Sequence, residues 1–488
     1  MIPNVAFKKQ DGNTGVVRPG NEGILAIIAA SQGGSVNVPT AEVDPALALA
    51  DFSYGPLTEL AAYAMAETQK QALLVRPVTT TVGAYSAIVK TGGGTAAPAA
   101  TAATNPWDDF NVVISFVFGG ALGTAGITYT YSLNGGKTVS AVTSLGTALI
   151  ITIPNTGISI TLGTSAQTIF AGEILTFTTT RPLPTDSDLA ASLEALRVTS
   201  QPFEAVIIDC LAADTTVAII ATWLLGLNNA GKFPVVFVTC RPMALTGETE
   251  AAYLTAVATI FAAAACVDVV VCADQTDMVS AYRGITQARP AAFPVAARAM
   301  AVDIGTEPAY VALGPLTGCK ISDARGNPYH HNEEKYPGLD DIRLTALRTI
   351  EGLEGVYINN TNLLSPSGSD YVYLPHARTM NRAATIARQV LLKQLSVGVA
   401  KNPKAGPNGE RYIADHAAKM IETLVNDAIG VALKGKVDDI RFSLSRTDDL
   451  SSNAGATVTC FLENVALAYI KKFSVTERYV KALTAATQ

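Results

Sequence analysis

The feature that most constrains this chain is an alternation between residues 203 and 289. Three short runs, FEAVIID, PVVFVTC and CVDVVVC, are apolar along nearly their whole length, and segments of helical period separate them. A strand that is apolar on both faces must be covered on both faces, and intervening helices are the crossovers a parallel sheet requires. The pattern predicts helices over 185–197, 214–227, 248–264 and 277–287 with these strands between them. The same rhythm occurs once earlier, as a buried strand GILAIIAA, a helix over 51–70 and a second apolar run that ends at Pro77.

From about 79 to 182 the composition changes to Thr, Gly, Ala, Val and Ile. The alternating runs NVVISFVF, GITYTYSL, LIITI, GISITL and EILTFTTT follow one another, with Asn134-Gly135-Gly136 as a hairpin signal. This stretch reads as an all-β insert that interrupts one α/β domain, and its Gly/Ala/Thr-rich part, 91–104, is expected to be a flexible loop.

Composition excludes several functions. The 35 Lys and Arg against 41 Asp and Glu give a net charge of −6 without a basic run, so direct nucleic-acid binding is not expected. The most membrane-like window, 254–273, contains Asp268 and changes from helical to strand-like pattern, so no transmembrane segment is expected, nor is a signal peptide. Hydrophobic residues are 49% and charged residues 16%, an apolar balance that suits burial between subunits as well as within one. Six cysteines show no CxxC pair, which points to neither a zinc site nor a disulfide scaffold.

Candidate chemistry is sparse. The run from Gly226 to Lys232 looks like a short P-loop, but it follows a helix instead of opening one, and Phe233 stands where magnesium needs a hydroxyl; Gly231 reads better as a helix terminator. His330 and His331 are adjacent and flanked by Pro328 and Pro337, which suggests a solvated loop rather than a metal site. No GxSxG, HExxH or strand-borne GxGxxG is present, so no catalytic residue, cofactor or metal is expected.

The stretch 344–480 carries a family resemblance. An expected helix with Arg343 and Arg348 is followed by Gly355-Val356-Tyr357-Ile358-Asn359-Asn360, then Ser369-Asp370-Tyr371-Val372-Tyr373, then a helix bearing Arg378. With the upstream segments FSYGPLTE, LVRP and AGEILTF, this order resembles the contractile-tail sheath proteins of myophages and related injection machines. The resemblance implies a non-enzymatic virion protein, assembled in the host cytoplasm. It would stack in hexameric rings around a tail tube protein, meet baseplate and tail terminator proteins at the ends, and contract to drive the tube through the host envelope. Its C-terminal domain would lie nearest the tube, with insertions facing outward.

The expected fold class is therefore multidomain α/β. An N-terminal arm (1–20) precedes an α/β core domain (21–84 and 183–343) interrupted by a β-rich outer insert (85–182), and an α+β C-terminal assembly domain with an arm strand (344–488) follows. The alternation of Leu467, Tyr469, Phe473 and Val475, with Ile470 on the other face, and the patch Ile2, Val5 and Phe7 read as strands donated to neighbouring subunits or, alternatively, as strands of the chain's own sheet. Cys319 and Cys460 are candidate inter-subunit thiols, with unpaired cysteines as the plainer reading. The competing readings are a doubly wound α/β enzyme with an appended β domain and an adhesive surface module.

Overall fold

The structure is a computed structural model and describes residues 22–102, 104–244, 247–322, 330–395, 398–404, 406, 410–451 and 457–471. The chain divides into two compact units, Met1–Thr385 and Ile386–Gln488.

The first unit is built on a six-stranded sheet with the order Val269–Cys272, Val235–Thr239, Ala205–Ile208, Leu25–Ile28, Ala72–Val75 and Thr40–Glu42. The first five strands run parallel, and Thr40–Glu42 closes the edge antiparallel to Ala72–Val75. Strands from both sides of the insert thus meet at the sheet centre, where Leu25 pairs with Ala205 and with Ala72. Side chains along each strand alternate between two cores. Leu25 and Ile27 pack on α1 (Pro45–Phe52), α2 (Pro56–Thr68) and residues near 292–300, while Ala26 and Ile28 face α3 (Asp186–Val198), α4 (Asp214–Ala230) and α5 (Glu250–Ile260). The first of these layers is completed by α6 (Ala292–Ala301).

Three sequence expectations change in this unit. The helix over 51–70 is two helices, because Gly55 adopts φ 155 and a Cβ there would lie 2.7 Å from Ser31 Cα; Pro56 then opens α2. The helix over 277–287 is instead an antiparallel hairpin, Gln275–Val279 with Thr286–Pro290, turned at Gly284 with φ 64. Residues after Leu344 are extended rather than helical: the Thr345 N–H donates to the Val271 carbonyl (2.9 Å), Leu347 pairs with Ile358, and Leu344 and Leu347 enter opposite cores. Burial of alternate residues against an open sheet edge outweighs their helix propensity.

The insert consists of antiparallel sheets around Phe110–Phe118, Ile174–Thr180, Thr128–Ser132, Ile150–Ile153 and Ile158–Thr161. Phe110, Val112, Ile114 and Phe116 point into its core together with Ile151, Ile158, Ile160, Leu175 and Phe177. The Gly/Ala/Thr-rich stretch expected to be flexible is tied to it, since Ala99 and Ala100 pair with Thr161 and Ile160, and buried Ala96 donates its N–H to the Thr168 carbonyl (3.0 Å).

Buried ion pairs fix the insert to the sheet. Arg181, at the end of the insert, grips Asp209 with two hydrogen bonds of 2.9 and 2.8 Å and also pairs with Asp109. Arg289 on the hairpin binds Asp108 of the insert through both terminal nitrogens, and Ile285 of the same hairpin enters the insert core. With Asp209 and Arg289 only 1% and 4% exposed, loss of either partner would strand an uncompensated charge.

Candidate assembly site

In the second unit, α8 (Asp415–Ala432) is amphipathic, burying Ala418, Ile421, Val425 and Ile429. The preceding helix, α7 (Leu374–Leu392), runs across the boundary between the units. The described residues of the second unit contain one sheet, the antiparallel pair Asp439–Leu444 and Cys460–Val465, whose register sets Phe442 opposite Leu462 and Leu444 opposite Cys460. Phe442 and Leu444 are buried and face α8.

The two edges of this hairpin are treated differently. Asn426 of α8 donates its side-chain amide to the Phe442 carbonyl (2.9 Å) and accepts the Phe442 N–H (2.7 Å), as a neighbouring strand would. Glu422 accepts the Leu444 N–H (2.7 Å), and Arg446 holds that carboxylate with bonds of 2.9 and 2.8 Å. The hydrogen bond from Arg446, ahead of burial, keeps Glu422 below the usual carboxylate pKa. Side chains of α8 therefore close the edge of Asp439–Leu444.

Among the described residues the other edge has no partner strand. Because Phe442 turns both backbone groups toward Asn426, the pair Phe442 and Leu462 is a non-hydrogen-bonded one, and antiparallel alternation leaves the N–H and C=O of Cys460, Leu462 and Asn464 facing away from their partner strand. Phe461 and Val465 are 52% and 53% exposed, so the strand is uncovered on a face as well.

The residues named from sequence fall around this strand or outside the described part. Residues 466–471 continue from it and join no ladder among the described residues; Leu467 and Tyr469 are half-buried, Ile470 is exposed, and the Lys471 ammonium lies 5.9 Å from the Tyr469 ring centroid. Phe473, Val475, Ile2, Val5 and Phe7 lie outside the described residues. Cys460 is exposed on the open strand, whereas Cys319 is buried in the first unit and its thiol pKa is pushed up to about 12, chiefly by burial. The partner strand Asp439–Leu444 and helix α8 escaped the sequence reading, although Ile440, Phe442 and Leu444 alternate and the polar Asn426 interrupts the apolar side of α8.

Other candidate chemistry resolves into structure. Gly231 ends α4 in the left-handed region at φ 78, ahead of strand Val235–Thr239. The histidine loop expected to be solvated is buried: His331 bridges Glu250 (2.7 Å) and Glu333 (2.8 Å), and His330 meets Asp277 (3.0 Å). Burial alone would lower the His331 pKa, but the hydrogen bonds and charges of Glu333 and Glu250 outweigh it and hold the imidazole above its usual value. Among the described residues no cluster of three or more His, Cys, Asp or Glu side chains is arranged to hold a metal ion, and no helix is long and apolar enough to cross a membrane.

The fold recurs in contractile sheaths. It is similar to the sheath of an extracellular contractile injection system, the PVC complex in its contracted state, at 9% identity and TM-score 0.51, covering 99% of this chain and 98% of that one. The contracted helical sheath of the anti-feeding prophage matches at 10% identity and TM-score 0.50, with 99% of each chain covered. A sheath tail protein from Desulfitobacterium hafniense matches at 12% identity and TM-score 0.46, over 95% of this chain and 100% of that one. No curated protein sequence matches. A family profile described as DUF2586, N-terminal domain, matches residues 2–362. The chain therefore belongs to the DUF2586 family, and its fold is that of contractile sheath proteins.

Proposed function

We propose that this chain is the subunit of a contractile sheath, stacked in hexameric rings around a tail tube and contracting to drive that tube through a cell envelope. The observation that carries the reading is the hairpin of the second unit, with one edge closed by Asn426 and Glu422 and the other, among the described residues, without a partner strand at Cys460 and Leu462. A strand prepared in this way accepts one more strand from outside, and the terminal segments of a neighbouring copy, with Ile2, Val5 and Phe7 or with Leu467, Tyr469, Ile470, Phe473 and Val475, have the alternation to supply it. Main-chain hydrogen bonds of this kind hold whatever side chains surround them, so subunits stay linked while their bodies move. Each donated strand joins a different copy, which makes a heterologous contact that propagates into a helical polymer.

Contraction then needs no nucleotide: a metastable packing relaxes, and a modest gain per subunit multiplies along the polymer. The partners of such a subunit are copies of itself, a tail tube protein, and baseplate and tail terminator proteins. The role is structural, not enzymatic, in a virion or virion-like particle. An inter-subunit thiol pair would use Cys460, which is exposed, more readily than Cys319, which is buried. Gold labelling of a tagged chain in particles isolated from producing cells tests the assignment. Label spaced along a hollow shaft supports it, and label confined to one end, or absent from shafts, overturns it.

A further inference from the structure

A cleft of about 380 Å³ lies where the insert meets the α/β body of the first unit. Its walls include Gln32 from the body and Thr104, Asn105, Trp107, Thr152 and Asn155 from the insert, and no Asp, Glu, Lys or Arg lines it. Trp107 is half-buried, with the Arg76 guanidinium 5.8 Å from its ring centroid, and Arg76 donates to the Gly34 carbonyl (2.8 Å). Arg283 of the body donates to the Asn155 carbonyl, which anchors the Asn155 turn. Trp107 and the backbone of the Asn155 turn thus have partners before any ligand arrives.

The side-chain amides of Gln32, Asn105 and Asn155 are exposed, and none of them exchanges a hydrogen bond with another described residue. The cleft therefore combines an aromatic surface with several uncommitted donors and acceptors, and its two nearest cations, Arg76 and Arg283, are committed to the Gly34 and Asn155 carbonyls behind the lining. That chemistry selects its ligand. An anionic ligand would find no cation among the lining residues, and a purely apolar one would strip water from the amides without replacing it. A molecule with an apolar C–H face and a rim of uncharged hydroxyls satisfies both requirements, and the volume lies within the usual range of small-ligand clefts.

We propose that this cleft binds a neutral saccharide of one or two hexose-sized rings, stacked on Trp107 and hydrogen-bonded by Asn105, Asn155 and Gln32. The cleft belongs to the first unit and the assembly edge to the second, and the proposal stands whether or not the chain polymerises. Saturation-transfer NMR on the full chain, with glucose, N-acetylglucosamine and lactose beside sialic acid, glucose 6-phosphate and adenosine, tests it.

At least one uncharged sugar is expected to receive saturation in preference to the charged sugars and to adenosine. Trp107→Ala is expected to abolish the signal. Because that change could disturb the insert, Asn105→Ala and Asn155→Gly form the second arm, the glycine keeping the φ of 61 that Asn155 adopts. Each is expected to weaken affinity about fivefold, the equivalent of about 1 kcal/mol for one hydrogen bond. Absence of transfer to every uncharged sugar overturns the proposal. So does equal or stronger transfer to an acidic sugar or adenosine, or wild-type affinity in both asparagine variants.

Discussion

Replacing Leu462 by proline separates the open edge from the hairpin that carries it. The N–H of Leu462 faces outward, so proline removes no bond between Asp439–Leu444 and Cys460–Val465, and the isolated subunit should melt close to the wild type. Glu463→Pro is the matched comparison: Glu463 lies opposite Arg441 in a hydrogen-bonded pair, and its loss should cost the hairpin at least about 1 kcal/mol. In a polymer the order reverses. Cys460 and Leu462 each turn a donor and an acceptor toward an added strand, at about 0.5–1.5 kcal/mol net per bond. Proline in the middle deletes one donor and crowds its neighbours, a loss of about 1–3 kcal/mol per contact, or about 5- to 150-fold in affinity. The critical concentration for pelletable polymer, measured beside thermal unfolding of the unassembled subunit, reads both effects. Polymer formation by Leu462→Pro at the wild-type critical concentration would refute the assignment of this edge.

Other perturbations probe the body of the molecule. Arg181→Met should cost about 3–5 kcal/mol in chemical denaturation by stranding buried Asp209, and adding Asp209→Leu should recover much of it; equal stability of both variants would contradict this. His331 is held above its usual pKa, so its contribution is complete below about pH 6.5 and fades as pH rises through the raised folded value. Glu333, which burial alone would raise but which His331 and the Gly338 and Asp340 N–H groups hold low, contributes above about pH 4.5 and loses its contribution as pH falls through the depressed value. Denaturation midpoints should therefore decline toward alkaline pH, and His331→Gln should flatten that slope; an unchanged slope in the variant is the contrary result. Maleimide should modify Cys460 in the native protein well before Cys319, and equal rates would contradict their placement.

How much of this was legible depended on how local each signal is. Val235–Thr239 and Val269–Cys272 are nearly pure β-branched runs, and only a doubly covered sheet accommodates them, so they stood out in the sequence. The hairpin of Gln275–Val279 and Thr286–Pro290 did not: its partners, Asp108 of the insert and the carbonyl of Lys320, are far away in sequence, and a helical spacing fits the same letters. Leu344 to Leu347 likewise become extended because the sheet ends at Val269–Cys272 and offers an edge. At the assembly site the alternation read from the sequence lies at Leu467 to Val475, just beyond the exposed strand, and the closing of the opposite edge rests on two polar side chains of α8. Asn426 and Glu422 look like ordinary helix residues until the strand is placed beside them. The histidines misled for the same reason: the carboxylate of Glu250 that buries His331 comes from 81 residues upstream.

Negative-stain microscopy of the purified protein at rising concentration shows whether this chain polymerises as a sheath subunit. Striated hollow tubes of uniform diameter, suppressed by Leu462→Pro, are the expected result. A field of small uniform particles at every concentration, identical for the wild type and the variant, would contradict it.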